Sequence, residues 1–84
     1  MKTLECTIKD PLGIHARTAA MLAREAGNHA CRITLKANGD SAEVTDLIGV
    51  MGLGITCGQK IMMEFEGADE DRAFEQYQGL LGVD

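Results

Sequence analysis

Three segments of the chain place an apolar side chain at every second residue. Leu4, Cys6 and Ile8 alternate with Thr3, Glu5, Thr7 and Lys9. Cys31, Ile33, Leu35 and Ala37 alternate with Arg32, Thr34 and Lys36, and Ile61, Met63 and Phe65 with Lys60, Met62, Glu64 and Glu66. A period of two marks a strand with one dry face. Strands of this kind predict an antiparallel sheet covered by helices on one side only. The segments between them supply those helices. Ala16, Ala19, Ala20, Ala23 and Ala26 recur at helical spacing, with Met21 and Leu22 adding bulk and Gly27-Asn28 as a stop. Ala73, Phe74, Tyr77, Leu80 and Leu81 form a second stripe behind Asp69-Glu70-Asp71, whose charges suit a helix start. Asn38-Gly39 supplies a tight hairpin turn into a short return strand, about Asp40 to Val44. Asp46 then opens the apolar run Leu47 to Leu53, read as a short helix that two glycines weaken. With turns at Asp10-Pro11-Leu12-Gly13 and Gly54 to Gly58, the order is β-α-β-β-α-β-α. The fold class is α+β, a two-layer sandwich, in a single domain over residues 1–84.

Composition narrows the function. Eight Lys and Arg against thirteen Asp and Glu give a net charge of −5, which disfavours nucleic acid, where affinity comes from cations neutralising phosphates. No apolar stretch follows Lys2 and no run reaches the length of a membrane span. A cytoplasmic protein with no membrane insertion is therefore expected. Cys6, Cys31 and Cys57 are odd in number and far apart, without a C-x-x-C pair. They read as free thiols acting as small buried or half-buried hydrophobes, with no disulfide framework or zinc site. No cofactor is implied, because the phosphate-binding loop, zinc, calcium and serine-nucleophile motifs are all missing. His29 reads as a surface residue, and Glu64, Glu66, Asp69, Glu70 and Asp71 as a solvated face.

Chemistry concentrates in Gly13-Ile14-His15-Ala16-Arg17-Thr18-Ala19. His15 falls where a turn becomes a helix, and the backbone N–H groups of Ala16, Arg17 and Thr18 have no partner inside that helix. They point outward with the positive end of the macrodipole, where an anion is stabilised. A histidine near neutral pH is already largely the neutral nucleophile. Arg17 adds a charged fork suited to a phosphoryl group. His15, Ala16, Arg17 and Thr18 together make a candidate phosphoryl-acceptor site, although a lone histidine at this place is also commonly a cap or a solvated residue. No carboxylate is expected close enough in sequence to act as a general base, which suits a reversible carrier better than a hydrolase. In the short helix, a 100° step places Val50 and Leu53 on one arc and Leu47, Ile48 and Met51 on another. The first arc is assigned to the core, and the second to an exposed docking face.

Gly13-Ile14-His15-Ala16-Arg17, followed by Leu47-Ile48-Gly49-Val50-Met51-Gly52-Leu53-Gly54, resembles HPr, the histidine-containing phosphocarrier family of the bacterial phosphoenolpyruvate:sugar phosphotransferase system. Asn38-Gly39 and Glu66-Gly67-Ala68-Asp69-Glu70 extend the likeness over essentially the whole chain. The resemblance implies an open-faced β-sandwich of four antiparallel strands and three helices, in a monomer. It implies that His15 takes a phosphoryl group on Nδ1 from enzyme I and passes it to sugar-specific enzyme II A proteins, with Arg17 assisting. A second reading keeps the histidine chemistry but ends in regulatory proteins without sugar transport; a third is a small ligand-binding module with no covalent step. Two positions depart from the family pattern. Thr18 stands where the family has Pro, and reads as a tolerated surface change in preference to an added phosphate donor. Asp46 stands where Gram-positive members carry a regulatory serine, so that control is expected to be absent and Asp46 to serve as a helix cap.

Overall fold

Every alternating segment forms a strand. In the computed structural model, which describes residues 1–82, β1 is Lys2–Thr7, β2 Arg32–Ala37, β3 Asp40–Glu43 and β4 Lys60–Glu66. The helices are α1 Ala16–Ala26, α2 Leu47–Gly52 and α3 Glu70–Leu81. Residues 83 and 84 of the expected domain lie outside the described residues.

The strands pair antiparallel in the order β1-β4-β2-β3. Register explains the single dry face. Met63 lies opposite Leu4 on one side and Leu35 on the other, so the apolar rows of three strands align. Glu64 lies between Thr3 and Thr34 on the opposite, polar face. A one-residue slip would invert both faces, and burial holds the register against that. Asn38 and Gly39 both have positive φ, 55° and 76°, as a two-residue hairpin with strand-matching twist requires.

Two sets of side-chain hydrogen bonds tie α3 and its start to the rest of the fold. Tyr77 of α3 is fully enclosed and its hydroxyl donates to the Leu22 carbonyl of α1 at 2.6 Å. Asp69 does not cap its own helix; its carboxylate accepts from the amides of Ala30 (2.9 Å) and Cys31 (2.8 Å), ahead of β2. Those amides, Ala30 first, hold the Asp69 carboxyl below its usual range. A carboxyl lowered by folding stabilises the native state above its unfolded pKa, and that contribution is lost as pH falls through the folded value. Stability should therefore decline below about pH 4. In Asp69→Asn this part of the acid limb should flatten in urea titrations run at pH 3 to 6; an unchanged limb would remove Asp69 from the account.

The same corner corrects the expectation for His29. Its side chain is sealed, with Nε2 2.7 Å from Glu25 Oε2 and Nδ1 3.5 Å from Asp69 Oδ2. The ring is tilted against Tyr77 at 6.2 Å between centroids. The connection from α1 to β2 runs beneath the start of α3, which closes over the imidazole. Cys6 and Cys31 are buried and burial pushes both thiols up, whereas Cys57 is exposed, unlike the small hydrophobe expected there.

Candidate functional site

The turn before α1 builds the site. Gly13 has φ 68° and lies against the backbone of Ile55 and Thr56. A Cβ there would collide with the Ile55 carbonyl and come within 2.8 Å of Thr56 Cα, so only glycine fits. The Ile14 amide then donates to the Ile55 carbonyl at 3.1 Å, and both isoleucine side chains are buried. Ile55 sits in a stretch expected only as loop, yet it anchors the segment that carries His15.

His15 is the N-cap residue of α1, with extended backbone and no side-chain cap bond. Its carbonyl accepts from Ala19 at 2.8 Å and starts the helix. The amides of Ala16, Arg17 and Thr18 are the unpaired first-turn donors. The imidazole is 28% exposed. Both of its hydrogen-bonding neighbours are at Nε2: Thr18 Oγ1 at 3.0 Å and Asp10 Oδ2 at 3.3 Å. Nδ1 has no hydrogen-bond partner among the described residues. Arg17 is exposed, and no ion pair engages it among the described residues. With Thr18, Lys9, Arg24, Ile8 and Leu81 it lines a groove of about 430 Å³.

Two expectations change here. A carboxylate does reach His15, because the turn at Asp10 doubles the chain back. Gly13 donates to the Asp10 carbonyl at 2.8 Å, and Leu12 donates to Asp10 Oδ1 at 2.9 Å. The Leu12 amide first, and then His15 and Arg17, hold the Asp10 carboxyl below its usual range. The sequence signal was an aspartate bonding its own backbone two residues on, a common turn device. Thr18, in turn, is half-buried instead of lying on the open surface, and its hydroxyl meets the imidazole.

In α2, Asp46 accepts from the Gly49 amide at 3.0 Å, a cap contributing about 1 kcal/mol. A Cβ on Gly49 would crowd that carboxylate, which would have to shift. Val50 and Leu53 are 1% and 6% exposed, whereas Leu47, Ile48 and Met51 are 38%, 83% and 44% exposed. The two arcs separate as the spacing predicts, and α2 packs against α1, the helix that His15 opens. Leu12, 74% exposed in the turn before His15, was not singled out by its pattern.

A family model described as "PTS HPr component phosphorylation site" matches residues 2–82. The chain belongs to the HPr family. The phosphocarrier protein HPr of Lysinibacillus sphaericus is 42% identical over 81 residues, covering 96% of this chain and 92% of that one. The HPr of Mycoplasma genitalium is 38% identical, covering 96% and 93%. Among solved structures, HPr-C-His from Thermoanaerobacter tengcongensis superposes with a TM-score of 0.91 at 28% identity, over 98% of this chain and 92% of that one. The HPr fold, a four-stranded antiparallel open sheet with three helices, is the one observed. Among the described residues no helix is long and apolar enough to cross a membrane.

Proposed function

We propose that this protein accepts a phosphoryl group on His15 Nδ1 from phosphoenolpyruvate-charged enzyme I and hands it to sugar-specific enzyme II A proteins. The observation that carries this reading is the division of the His15 ring. Nε2 is occupied by Thr18 and Asp10, while Nδ1 is left without a partner in a partly exposed ring at the start of α1. In the transfer, the bond from phosphorus to the donor breaks as the Nδ1–P bond forms, and the donor recovers the electron pair. The incoming phosphoryl carries roughly two negative charges. The Ala16, Arg17 and Thr18 amides and the positive end of α1 favour such a charge, and the Arg17 guanidinium adds a permanent cation. On discharge the electron pair returns to Nδ1 and no water is consumed.

Incubation with enzyme I and phosphoenolpyruvate should add one phosphoryl mass, labile to acid and stable to alkali, as a phosphoramidate is. No adduct, or an acid-stable one, would end this reading. Asp46 has no hydroxyl to take a phosphoryl group from ATP and acts as a cap alone.

Leu47, Ile48 and Met51 form the docking face in this proposal, an exposed apolar patch on a helix that packs against α1. Ile48→Glu places a charge at the most exposed of the three. Its stability should stay within about 0.5 kcal/mol of the parent. Transfer from phospho-enzyme I should slow by about tenfold, the effect of losing one good contact. Unchanged transfer kinetics would move the docking face elsewhere.

A further inference from the structure

We propose that Asp10 is a positioning residue that holds His15 in the tautomer with its proton on Nε2, so that the lone pair sits on Nδ1. The inference deepens the phosphocarrier reading and rests on it for its consequence, but not for its geometry.

Asp10 is itself fixed. One carboxylate oxygen accepts from the Leu12 amide at 2.9 Å, and the other faces His15 Nε2 at 3.3 Å. An ionised carboxylate can only accept a hydrogen bond. Nε2 must therefore carry the proton and donate it. Thr18 Oγ1, 3.0 Å from the same nitrogen, shares that N–H as a second acceptor. The opposite tautomer would aim an imidazole lone pair at a carboxylate and leave only the threonine hydroxyl to offset the repulsion. A carboxylate that orients an imidazole and steadies its cationic form is a general device in acyl-transfer and metal sites. That hydroxyl is present only because this chain has threonine where the family pattern has proline, a residue with no hydroxyl.

The consequence concerns the charged protein. Attack by Nδ1 leaves the proton on Nε2 and makes the phosphorylated ring an imidazolium. When the Nδ1–P bond breaks, a neutral imidazole leaves. If the Nε2 proton were lost first, the leaving group would be an imidazolate anion, which is far worse. Asp10 keeps that proton in place. The other charged groups lining the adjacent groove, Lys9, Arg17 and Arg24, are basic; the Asp46 carboxylate that caps α2 is bonded to the Gly49 amide, and the Ile55–Gly58 loop adds no charge. Asp10 is the one carboxylate within hydrogen-bond distance of the His15 ring among the described residues.

Nitrogen-15 NMR of the His15 ring reads the tautomer directly in the unphosphorylated protein. The parent should show Nε2–H. Asp10→Asn can present an amide N–H to Nε2 and should shift the population toward Nδ1–H. Thr18→Val should leave the Nε2–H tautomer in place, because the threonine hydroxyl can accept from Nε2–H or donate to a bare Nε2. Phosphoryl acceptance should fall roughly tenfold in Asp10→Asn, well short of the ~10⁴ lost where such a carboxylate is fully buried. The pH above which discharge slows should drop by about one unit. Urea melts run in parallel separate these effects from loss of folding. A parent spectrum showing Nδ1–H, or one that Asp10→Asn leaves untouched, overturns the proposal. A parent that shows Nε2–H but takes no phosphoryl group overturns the phosphocarrier reading while supporting the tautomer assignment.

Discussion

His15→Ala is expected to take no phosphoryl group from phospho-enzyme I, with a loss beyond ~10³-fold that leaves the fold intact. The substitution removes the one ring nitrogen at this site without a hydrogen-bond partner among the described residues, in a side chain 28% exposed. No neighbour can replace it. Thr18 offers a hydroxyl, a poor nucleophile without a base to activate it. Arg17 is permanently protonated. The other histidine, His29, is sealed between Glu25 and Asp69 and cannot meet a partner protein. Stability should move by no more than about 0.5 kcal/mol, because the His15 side chain makes no cap bond to α1 and packs into no core. Intact mass after reaction with phosphoenolpyruvate and enzyme I reads the first claim, and a urea melt the second. A remaining acid-labile adduct would move the acceptor to His29. An acid-stable one would move it to a hydroxyl such as Thr18.

Local rules made much of this molecule legible. Period-two alternation placed three strands to within a residue or two, and the alanine stripe placed α1 at its observed bounds, Ala16–Ala26. Asn38-Gly39 announced the hairpin because few other pairs hold two positive φ angles in succession. Helical geometry separated buried Val50 from exposed Ile48 in a helix of 6 residues. What stayed hidden depends on segments meeting after the chain has folded. Asp10 reaches His15 only once the Pro11–Gly13 turn has reversed direction, and that turn is tight because Gly13 lies on the Ile55 backbone, far along the sequence. His29 lost its water to the start of α3, whose N-cap residue Asp69 lies forty residues later. The helix mouth was readable from a short motif. The carboxylate that orients its imidazole was not, because its role comes from distance and not from spacing.

Tyr77→Ala should be the most damaging single change to stability. Tyr77 is 0% exposed, with its ring 5.5 Å from the centroid of Phe65 and its hydroxyl on the Leu22 carbonyl. Truncating a large buried ring costs about 3–5 kcal/mol, through lost transfer energy and the cavity left behind. Loss of a buried hydrogen bond adds about 1 kcal/mol. A domain of this length has roughly 4–13 kcal/mol in all, so the variant should lose a large part of its margin and melt well below the parent. Tyr77→Phe separates the two contributions. It keeps the ring, and the Leu22 carbonyl still accepts within α1, so it should lose only about 1 kcal/mol. Burial, with Glu25 adding its negative charge, pushes the Tyr77 phenol far above its usual range. In the folded state the hydroxyl therefore stays a neutral donor, while the unfolded phenol ionises at about pH 10. The gap between Tyr77→Phe and the parent should hold from pH 7 to about 9 and narrow above that. Because Tyr77 ties α3 to the helix that His15 opens, the Ala variant should lose phosphoryl acceptance only in step with its unfolded fraction, and recover it on cooling. A Tyr77→Ala protein within 1 kcal/mol of the parent in urea would show that the α1–α3 packing is held by other contacts.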